Sequence, residues 1–171
     1  MREAGYTFAV LAPDVEEAHD PALTCDALTM ENARRKAVAG ALLRPDALVI
    51  GADTLVYVDE HPLGKPADIA EARDMLRRLS GREHQVCTGV ALAWEAGAQV
   101  QTFAVITDVT FKPIDEDTAS AYLAQVHVFD KAGGYAIQEH GHLIVAHIKG
   151  SMSNVIGLPM EALKEKLAGF Q

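Results

Sequence analysis

The chain has 171 residues, which is long enough for one domain with a substantial hydrophobic core. Apolar residues make up 49% and charged residues 23% of the sequence, as in folded globular proteins, so the composition excludes a largely disordered chain. The net charge is -9, and basic residues cluster no further than pairs such as Arg77 and Arg78. Because binding to a nucleic acid backbone depends on basic patches, we expect no nucleic acid polymer as a partner.

Cysteine content and the N-terminal sequence indicate the compartment. Cys25 and Cys87 lie far apart and form no CxxC pair, so we expect two free thiols rather than a disulfide framework or a zinc knuckle. The stretch MREAGYTFAV lacks the apolar segment and the small-residue cleavage site of a secretion signal. No apolar run approaches the length of a membrane span. These features predict a cytoplasmic protein without a membrane partner.

The first part of the chain predicts a strand, a helix and a second strand. The apolar run YTFAVLA at 6–12 is typical of a strand. The stretch MENARRKAVAGALL at 30–43 is rich in helix formers, and Thr29 is its expected N-cap. The β-branched and apolar run ALVIGADTLVYV at 47–58 predicts a buried strand, which we expect to be interrupted at 51–54.

The rest of the chain continues this alternation. Residues 59–66 have the prolines and glycine of a turn, and Asp68 is the expected N-cap of a helix at 69–79. The remaining predicted elements are two strands in a hairpin joined near Gly97, a helix from 113 to about 126, a strand at 142–150 and a helix from Pro159 onward. The pattern predicts an α/β fold, a mixed sheet with flanking helices, in a single domain over 1–171.

Asp53 is the most informative residue, because it is a carboxylate inside the apolar strand VIGADTLVYV. A buried charge without a partner is costly, so this carboxylate must either be hydrogen-bonded or have a chemical role. One interpretation is a strand-end aspartate that accepts backbone N–H groups. The other is a general base or a metal ligand at the end of a strand, where α/β sheets commonly place their sites. Periodicity does not choose between them.

Two adjacent carboxylates, Glu16 and Glu17, follow the first predicted strand. Such a pair is usually a solvated loop, but near Asp53 it would supply oxygen ligands for Mg²⁺. Lys36 lies on a predicted helix, where a solvated surface position is the simpler interpretation. Lys65, in LGKP, is equally well explained as a turn lysine or as a ligand-directed one.

The stretch DKAGGYAIQ at 130–138 combines a cation, bare backbone and an amide. Glycines let a backbone approach closely, so amides beside Lys131 could face an anion together. Gln138 could read the edge of a base or could satisfy buried backbone. His140 and His142 would share the face of a strand, but two histidines without a third ligand are a weak indication of zinc.

Seven stretches in order resemble the Maf family of nucleoside triphosphate pyrophosphatases. They are VEE at 15–17, RRKA at 34–37, VIGADTLV at 49–56, LGKP at 63–66, MLRRLSGREHQVCTGVAL at 75–92, DKAGGYAIQ at 130–138 and IKGSMSNVIGLP at 148–159. The resemblance implies a two-lobed fold, like that of the ITP pyrophosphatases, with a central cleft. It also implies hydrolysis of a nucleoside triphosphate to the monophosphate and pyrophosphate with Mg²⁺ or Mn²⁺, and a homodimer.

The resemblance also implies roles for individual residues. Asp53 and Glu16 would be catalytic and would hold the metal, with Asp53 as the base that orients water. The remaining site residues that it implies are the phosphate-binding Lys36, Lys65 and Lys131, together with Thr54 and Gln138, which would contribute to substrate choice. The form KAGGYAIQ resembles the branch that acts on dTTP and UTP.

One departure from the family pattern bears on activity. Family members open with a strand and an SxSPRR-type loop, and these 171 residues contain neither of them in a matching form. Loss of a bidentate arginine clamp would weaken binding of a triphosphate. A nucleotide-binding or septum-related regulatory protein with weakened catalysis is therefore the alternative to a pyrophosphatase.

Overall fold

The computed structural model describes residues 1–59 and 61–170 and shows an α/β fold. Its helices and strands, in chain order, are α1 (Cys25–Leu43), β1 (Val49–Val58), β2 (His61–Leu63), α2 (Ile69–Leu79), β3 (Glu83–Trp94), β4 (Gln99–Phe111), α3 (Glu116–Leu123), β5 (Val145–Lys149), α4 (Met152–Val155) and α5 (Met160–Leu167). Short 3₁₀ turns occupy Arg2–Ala4, Glu95–Gly97, Ala132–Gly134, Gly141–Leu143 and Ala168–Phe170. The α/β class predicted from the sequence is confirmed.

The five strands form one sheet in the order β2-β1-β3-β4-β5. Strand β1 pairs antiparallel with β2, with Val56 opposite Leu63, and β4 pairs antiparallel with β5, with Asp108 opposite Lys149. The β4–β5 register shifts between Thr110 and Phe111. The predicted hairpin is confirmed, since β3 and β4 are sheet neighbours joined by the turn Glu95–Gly97.

The first predicted strand, at 6–12, is wrong. This segment has no strand assignment and belongs to none of the five strands of the described sheet. Its apolar side chains also lack a core to cover them, since Val10 is 77% exposed and Phe8 is 40% exposed. A strand needs a neighbouring backbone to complete its hydrogen bonds, and apolar composition alone does not reveal whether one is present.

Helix α1 begins five residues before the predicted start. Thr24 is its N-cap residue, and Asp26 lies in the first turn, where a negative charge favours the helix dipole. Thr29, the predicted N-cap, lies instead inside the helix and is buried, and its hydroxyl donates to the carbonyl of Cys25 at 2.9 Å. The predicted interruption of the next strand is also wrong, because β1 runs unbroken through residues 51–54.

The N-cap residue Asp68 predicted the start of its helix correctly, unlike Thr29. The carboxylate of Asp68 accepts the backbone N–H of Glu71 at 2.8 Å, which confirms the predicted start of α2. Helix α3 is shorter than predicted and begins after Asp115, which caps it. Strand β5 is also shorter, because Gly141–Leu143 forms a 3₁₀ turn. Helix α4, capped by Ser151, was not predicted.

The described residues divide into two compact units. Unit 1 comprises Met1–Asp53, Gly89–Ala104 and the residues from Met160 onward, and unit 2 comprises Thr54–Thr88 and Val105–Pro159. Whether these units are parts of a single domain, with a cleft between them, stays a prediction.

Small residues form the core of unit 1. Alanines of α1 pack on alanines of β3 in a buried cluster. A Cβ atom added to Gly51 would lie 2.3 Å from the carbonyl oxygen of Ala33, and one added to Gly89 would lie 2.2 Å from the backbone of Thr29. Glycine therefore lets α1 lie directly against the strands β1 and β3.

Unit 2 has a larger core, and it contains a histidine. His84 is 2% exposed, its Nε2 atom lies 2.9 Å from the hydroxyl oxygen of Tyr135, and its Nδ1 atom has no hydrogen-bond partner among the described residues. The rings of Phe111 and Tyr135 face it edge-on. Burial lowers the pKa of His84 to about 4.

We expect this histidine to make the fold less stable as the pH falls. His84 takes up a proton near pH 6.5 in the unfolded chain but only near pH 4 in the folded chain. The stability that depends on neutral His84 is therefore fully present above pH 6.5 and is lost as the pH falls from 6.5 toward 4. The expected loss between about pH 7 and pH 5 is about 2 kcal/mol in the free energy of unfolding, measured by urea denaturation.

The variant His84→Gln provides the control, because its side chain does not titrate. The pKa of Glu31, lowered to about 2 by hydrogen bonds from Arg34 and Arg35, affects stability only below its ordinary value of 4.5. The difference between the wild type and the variant from about pH 7 to pH 5 therefore gives the His84 contribution. Equal pH dependence in the wild type and the variant over this interval would contradict the expectation.

Candidate active site

Asp53 lies in β1 and is held by two side chains of α1. Its Oδ1 atom accepts a hydrogen bond from Lys36 Nζ at 2.6 Å, and its Oδ2 atom accepts one from Asn32 Nδ2 at 3.2 Å. Asn32 and Lys36 are four residues apart and so lie on the same face of the helix. Asp53 is only 8% exposed, so these partners supply the compensation that a buried carboxylate needs.

A second carboxylate meets the same ammonium group. Glu17 Oε1 lies 2.7 Å from Lys36 Nζ. Burial acts to lower the pKa of Lys36, but the hydrogen bonds and charges of Asp53 and Glu17 outweigh it, so the pKa is raised. Lys36 therefore stays protonated at neutral pH. We call Glu17, Asn32, Lys36 and Asp53 the carboxylate cluster.

The loop that carries Glu17 is fixed to α1 by backbone contacts. The side chain of Asn32 accepts the N–H of Ala18 at 2.7 Å and donates to the carbonyl of Ala18 at 3.3 Å. Arg35 donates to the carbonyl oxygen of Glu16 at 3.1 Å. This arrangement places Glu17 at the ammonium and leaves Glu16 exposed. Glu16 was the predicted catalytic residue, and its catalytic role stays a prediction.

Thr54 is half-buried and contacts a network of buried hydroxyl and amide groups in unit 2. Its Oγ1 lies 2.9 Å from Thr88 Oγ1, and Thr88 donates to the carbonyl of Asn154 at 3.3 Å. Asn154 is wholly buried, and its side-chain amide donates to Val86 O and to Thr107 Oγ1, each at 3.0 Å. The stretch GSMSNVIGLP therefore contributes, through Asn154 and Gly157, to the hydrogen bonds that hold Thr54 and Thr88.

Lys65 and Lys131 lie on two loops of unit 2 that share a backbone hydrogen bond. The N–H of Gly133 donates to the carbonyl of Gly64 at 2.9 Å. Lys65 is exposed, and Lys131 forms an ion pair with Asp130 at 2.8 Å. The structure thus brings together the loops that carry these two predicted phosphate ligands, and each lysine keeps contact with solvent.

Gln138 and the two candidate zinc ligands lie in the following turns. Gln138 is exposed, so it does not satisfy buried backbone. His140 and His142 do not share a strand face, because β5 begins only at Val145, and their ring centroids are 6.1 Å apart. In the described part of the chain, no group of three His, Cys, Asp or Glu side chains is placed to hold a metal ion.

The chain matches the family described as "Maf-like protein" over residues 1–170, and it belongs to this family. It is 44% identical to a dTTP/UTP pyrophosphatase of Akkermansia muciniphila over 99% of this chain and 89% of that protein. Identity to a dTTP/UTP pyrophosphatase of Syntrophus aciditrophicus is 42%, over 95% and 80% of the two chains. Identity to one from Bacillus cereus is 40%, over 98% and 86%. Among the described residues, no helix is long and apolar enough to cross a membrane.

The carboxylate cluster contains the oxygen ligands that the divalent cation implied by the family would use. Oxygens of Asp53 and Glu17 lie 2.6 and 2.7 Å from Lys36 Nζ, so the two carboxylates are close to each other and share the lysine ammonium, and a cation would bind them beside it. Mg²⁺ typically binds one or two carboxylates and completes its shell with water and substrate phosphates. The absence of a third ligand in the described residues is compatible with this mode.

We expect Lys36 to contribute to stability through this cluster. Lys36→Met would leave the buried carboxylate of Asp53 without its cation, and we expect it to lower the free energy of unfolding by about 2 kcal/mol. This loss is smaller than that for a fully buried pair because the Lys36 side chain is 28% exposed. Arg34→Met on the same helix removes an exposed pair with Glu31 and should cost below about 1 kcal/mol. Equal losses in urea denaturation would contradict this expectation.

Proposed function

We propose that the chain is a nucleoside triphosphate pyrophosphatase that hydrolyses dTTP and UTP to the monophosphate and pyrophosphate. The carboxylate cluster around Asp53 is the observation that carries the proposal, and the names of the relatives supply the substrate class. In the reaction, a water oxygen forms a bond to the α-phosphorus, and the bond from that phosphorus to the α,β-bridging oxygen breaks. The leaving group is pyrophosphate.

We propose different roles in this reaction for the carboxylate, the lysines and the uncharged polar side chains. Asp53, fixed on both oxygens, would orient the attacking water and accept its proton. A bound Mg²⁺ or Mn²⁺ would neutralise phosphate charge and make water more acidic. Lys65 and Lys131 would bind phosphate oxygens and so offset the charge of the bound triphosphate, while Thr54 and Gln138 would contribute to the choice of base. Lys36 would hold Asp53 in place in addition to its predicted contact with phosphate.

We propose Glu17 as the second metal-binding carboxylate, beside the Glu16 that the resemblance implies. The support for this is that Glu17 Oε1 lies 2.7 Å from the Lys36 ammonium, which also binds Asp53. We further propose that the enzyme is a cytoplasmic homodimer; the resemblance to the family implies the homodimer.

The first test is pyrophosphate release from dTTP, UTP, CTP and GTP with Mg²⁺ or Mn²⁺. We expect turnover of dTTP and UTP above that of the other two. Asp53→Asn should lower kcat by a factor of about 100 or more, the usual contribution of a positioned acid or base. Asp46→Asn, at an exposed aspartate in the loop after α1, is the matched control and should keep full activity. Full activity of a folded Asp53→Asn variant would refute the role of Asp53.

Failure of turnover would favour the other candidate. If the folded wild type releases no pyrophosphate but binds dTTP in calorimetry, the chain is a nucleotide-binding protein with a regulatory role.

Adjacent glutamates give a second, internally matched test. We expect Glu17→Gln to lower kcat and to raise the Mg²⁺ concentration needed for half-maximal activity, because it removes one of two converging carboxylates. Glu16→Gln changes the same functional group one residue away, at an exposed position, and should have the smaller effect. If Glu16→Gln changed kcat and the Mg²⁺ requirement more than Glu17→Gln does, Glu16 would be the metal-binding residue and this proposal for Glu17 would be wrong.

A further inference from the structure

Two buried tyrosine hydroxyls hold the segment 131–138, which carries Lys131 at one end and Gln138 at the other. Tyr122 and Tyr135 are 0% and 6% exposed. Neither residue belongs to the set of groups that would touch the substrate. Their contacts nevertheless determine where the backbone of this segment lies.

Tyr122 binds both polar groups of one residue in the segment. Its hydroxyl donates to the carbonyl of Ala136 at 3.0 Å and accepts the N–H of Ala136 at 2.9 Å. Burial raises the pKa of Tyr122 to about 12, so the phenol keeps its proton throughout the neutral range. The Tyr122 hydroxyl of α3 thus satisfies both backbone polar groups of Ala136, as a neighbouring β-strand would do.

Tyr135 anchors the segment from within. Its hydroxyl lies 2.9 Å from Nε2 of His84 on β3, and its ring stands edge-on to Phe111 on β4, with centroids 4.8 Å apart. The contact therefore ties the segment to two adjacent strands of the sheet. Since His84 is neutral above about pH 4, this bond joins two uncharged groups at neutral pH.

Gly133 connects the segment 131–138 to the loop that carries Lys65. Gly133 has a φ angle of +72°, and a Cβ atom there would lie 2.9 Å from the side chain of Val56. Only glycine therefore lets the backbone approach β1 so closely. At this position the N–H of Gly133 donates to the carbonyl of Gly64, the residue before Lys65.

We propose that Tyr122 and Tyr135 are positioning residues for phosphate binding. They fix the segment 131–138 and, through the Gly133–Gly64 hydrogen bond, they set the separation of the loops that carry Lys131 and Lys65. The inference rests on the proposed function, because phosphate binding by these lysines is part of it. Positioned lysines bind the triphosphate before and during the reaction, so their displacement affects KM more than kcat.

The test uses Tyr135→Phe and Tyr122→Phe, each of which removes only a hydroxyl group. We expect KM for dTTP to rise about fivefold with kcat changed by less than about twofold, since one neutral hydrogen bond changes an equilibrium by roughly this factor. Leu163→Val is the control, because it disturbs a wholly buried position of α5 in unit 1 and leaves both tyrosines and their partners in place. It should lower the Tm without changing KM.

A double-mutant cycle separates positioning from general loss of stability. Lys131→Ala should raise KM by itself, and adding Tyr135→Phe to it should raise KM by less than the same change does in the wild type. Fully additive effects, or an unchanged KM in both tyrosine variants, would overturn the proposal.

Hydrogen exchange gives a measurement that does not depend on catalysis. Exchange of the Gly133 amide should be faster in both tyrosine variants, whereas the central amides of β3 should exchange as in the wild type. Unchanged exchange at Gly133 would overturn the inference even if the enzyme is active. A wild type that releases no pyrophosphate would refute the proposed function alone, and the exchange measurement would then decide the inference by itself.

Discussion

Burial of the Asp53 carboxylate inside a β-strand is the constraint on which the structure of unit 1 depends. A buried carboxylate without a partner costs several kcal/mol, and the backbone of a strand is already committed to its ladder. The partners must therefore come from a neighbouring element. Helix α1 supplies them through Asn32 and Lys36, one turn apart on the same face.

The close packing of α1 on the sheet follows from this requirement. The side chain of asparagine is short, so Asn32 reaches Asp53 only if the helix axis lies near the strand. Gly51 and Gly89 remove the side chains that would prevent this approach, and alanines fill the remaining interface. Asn32 also accepts from and donates to the backbone of Ala18, so the same residue fixes the loop that delivers Glu17.

Sequence reasoning succeeded where the signal was local and failed where it depended on distant partners. The cap at Asp68 and the hairpin at Gly97 follow from chemistry within a few residues, and both are confirmed. The apolar run at 6–12 has strand composition, but pairing is a property of the neighbouring backbone. Which of Glu16 and Glu17 contacts Lys36 is harder still to predict, because it depends on contacts made by Asn32 and Arg35 in a helix that follows the loop.

The three predicted phosphate-binding lysines differ in what they have left to offer a substrate. Lys36 is shared by two carboxylates, so the group formed by Lys36, Asp53 and Glu17 carries a net charge of about -1 and attracts a cation more readily than a phosphate. Lys65 is exposed on its loop, and the ion pair of Lys131 with Asp130 is a surface pair, which is weak and easily exchanged. Electrostatics thus distinguishes the cation-attracting carboxylate cluster of unit 1 from the lysine-bearing loops of unit 2, which carry exposed positive charge.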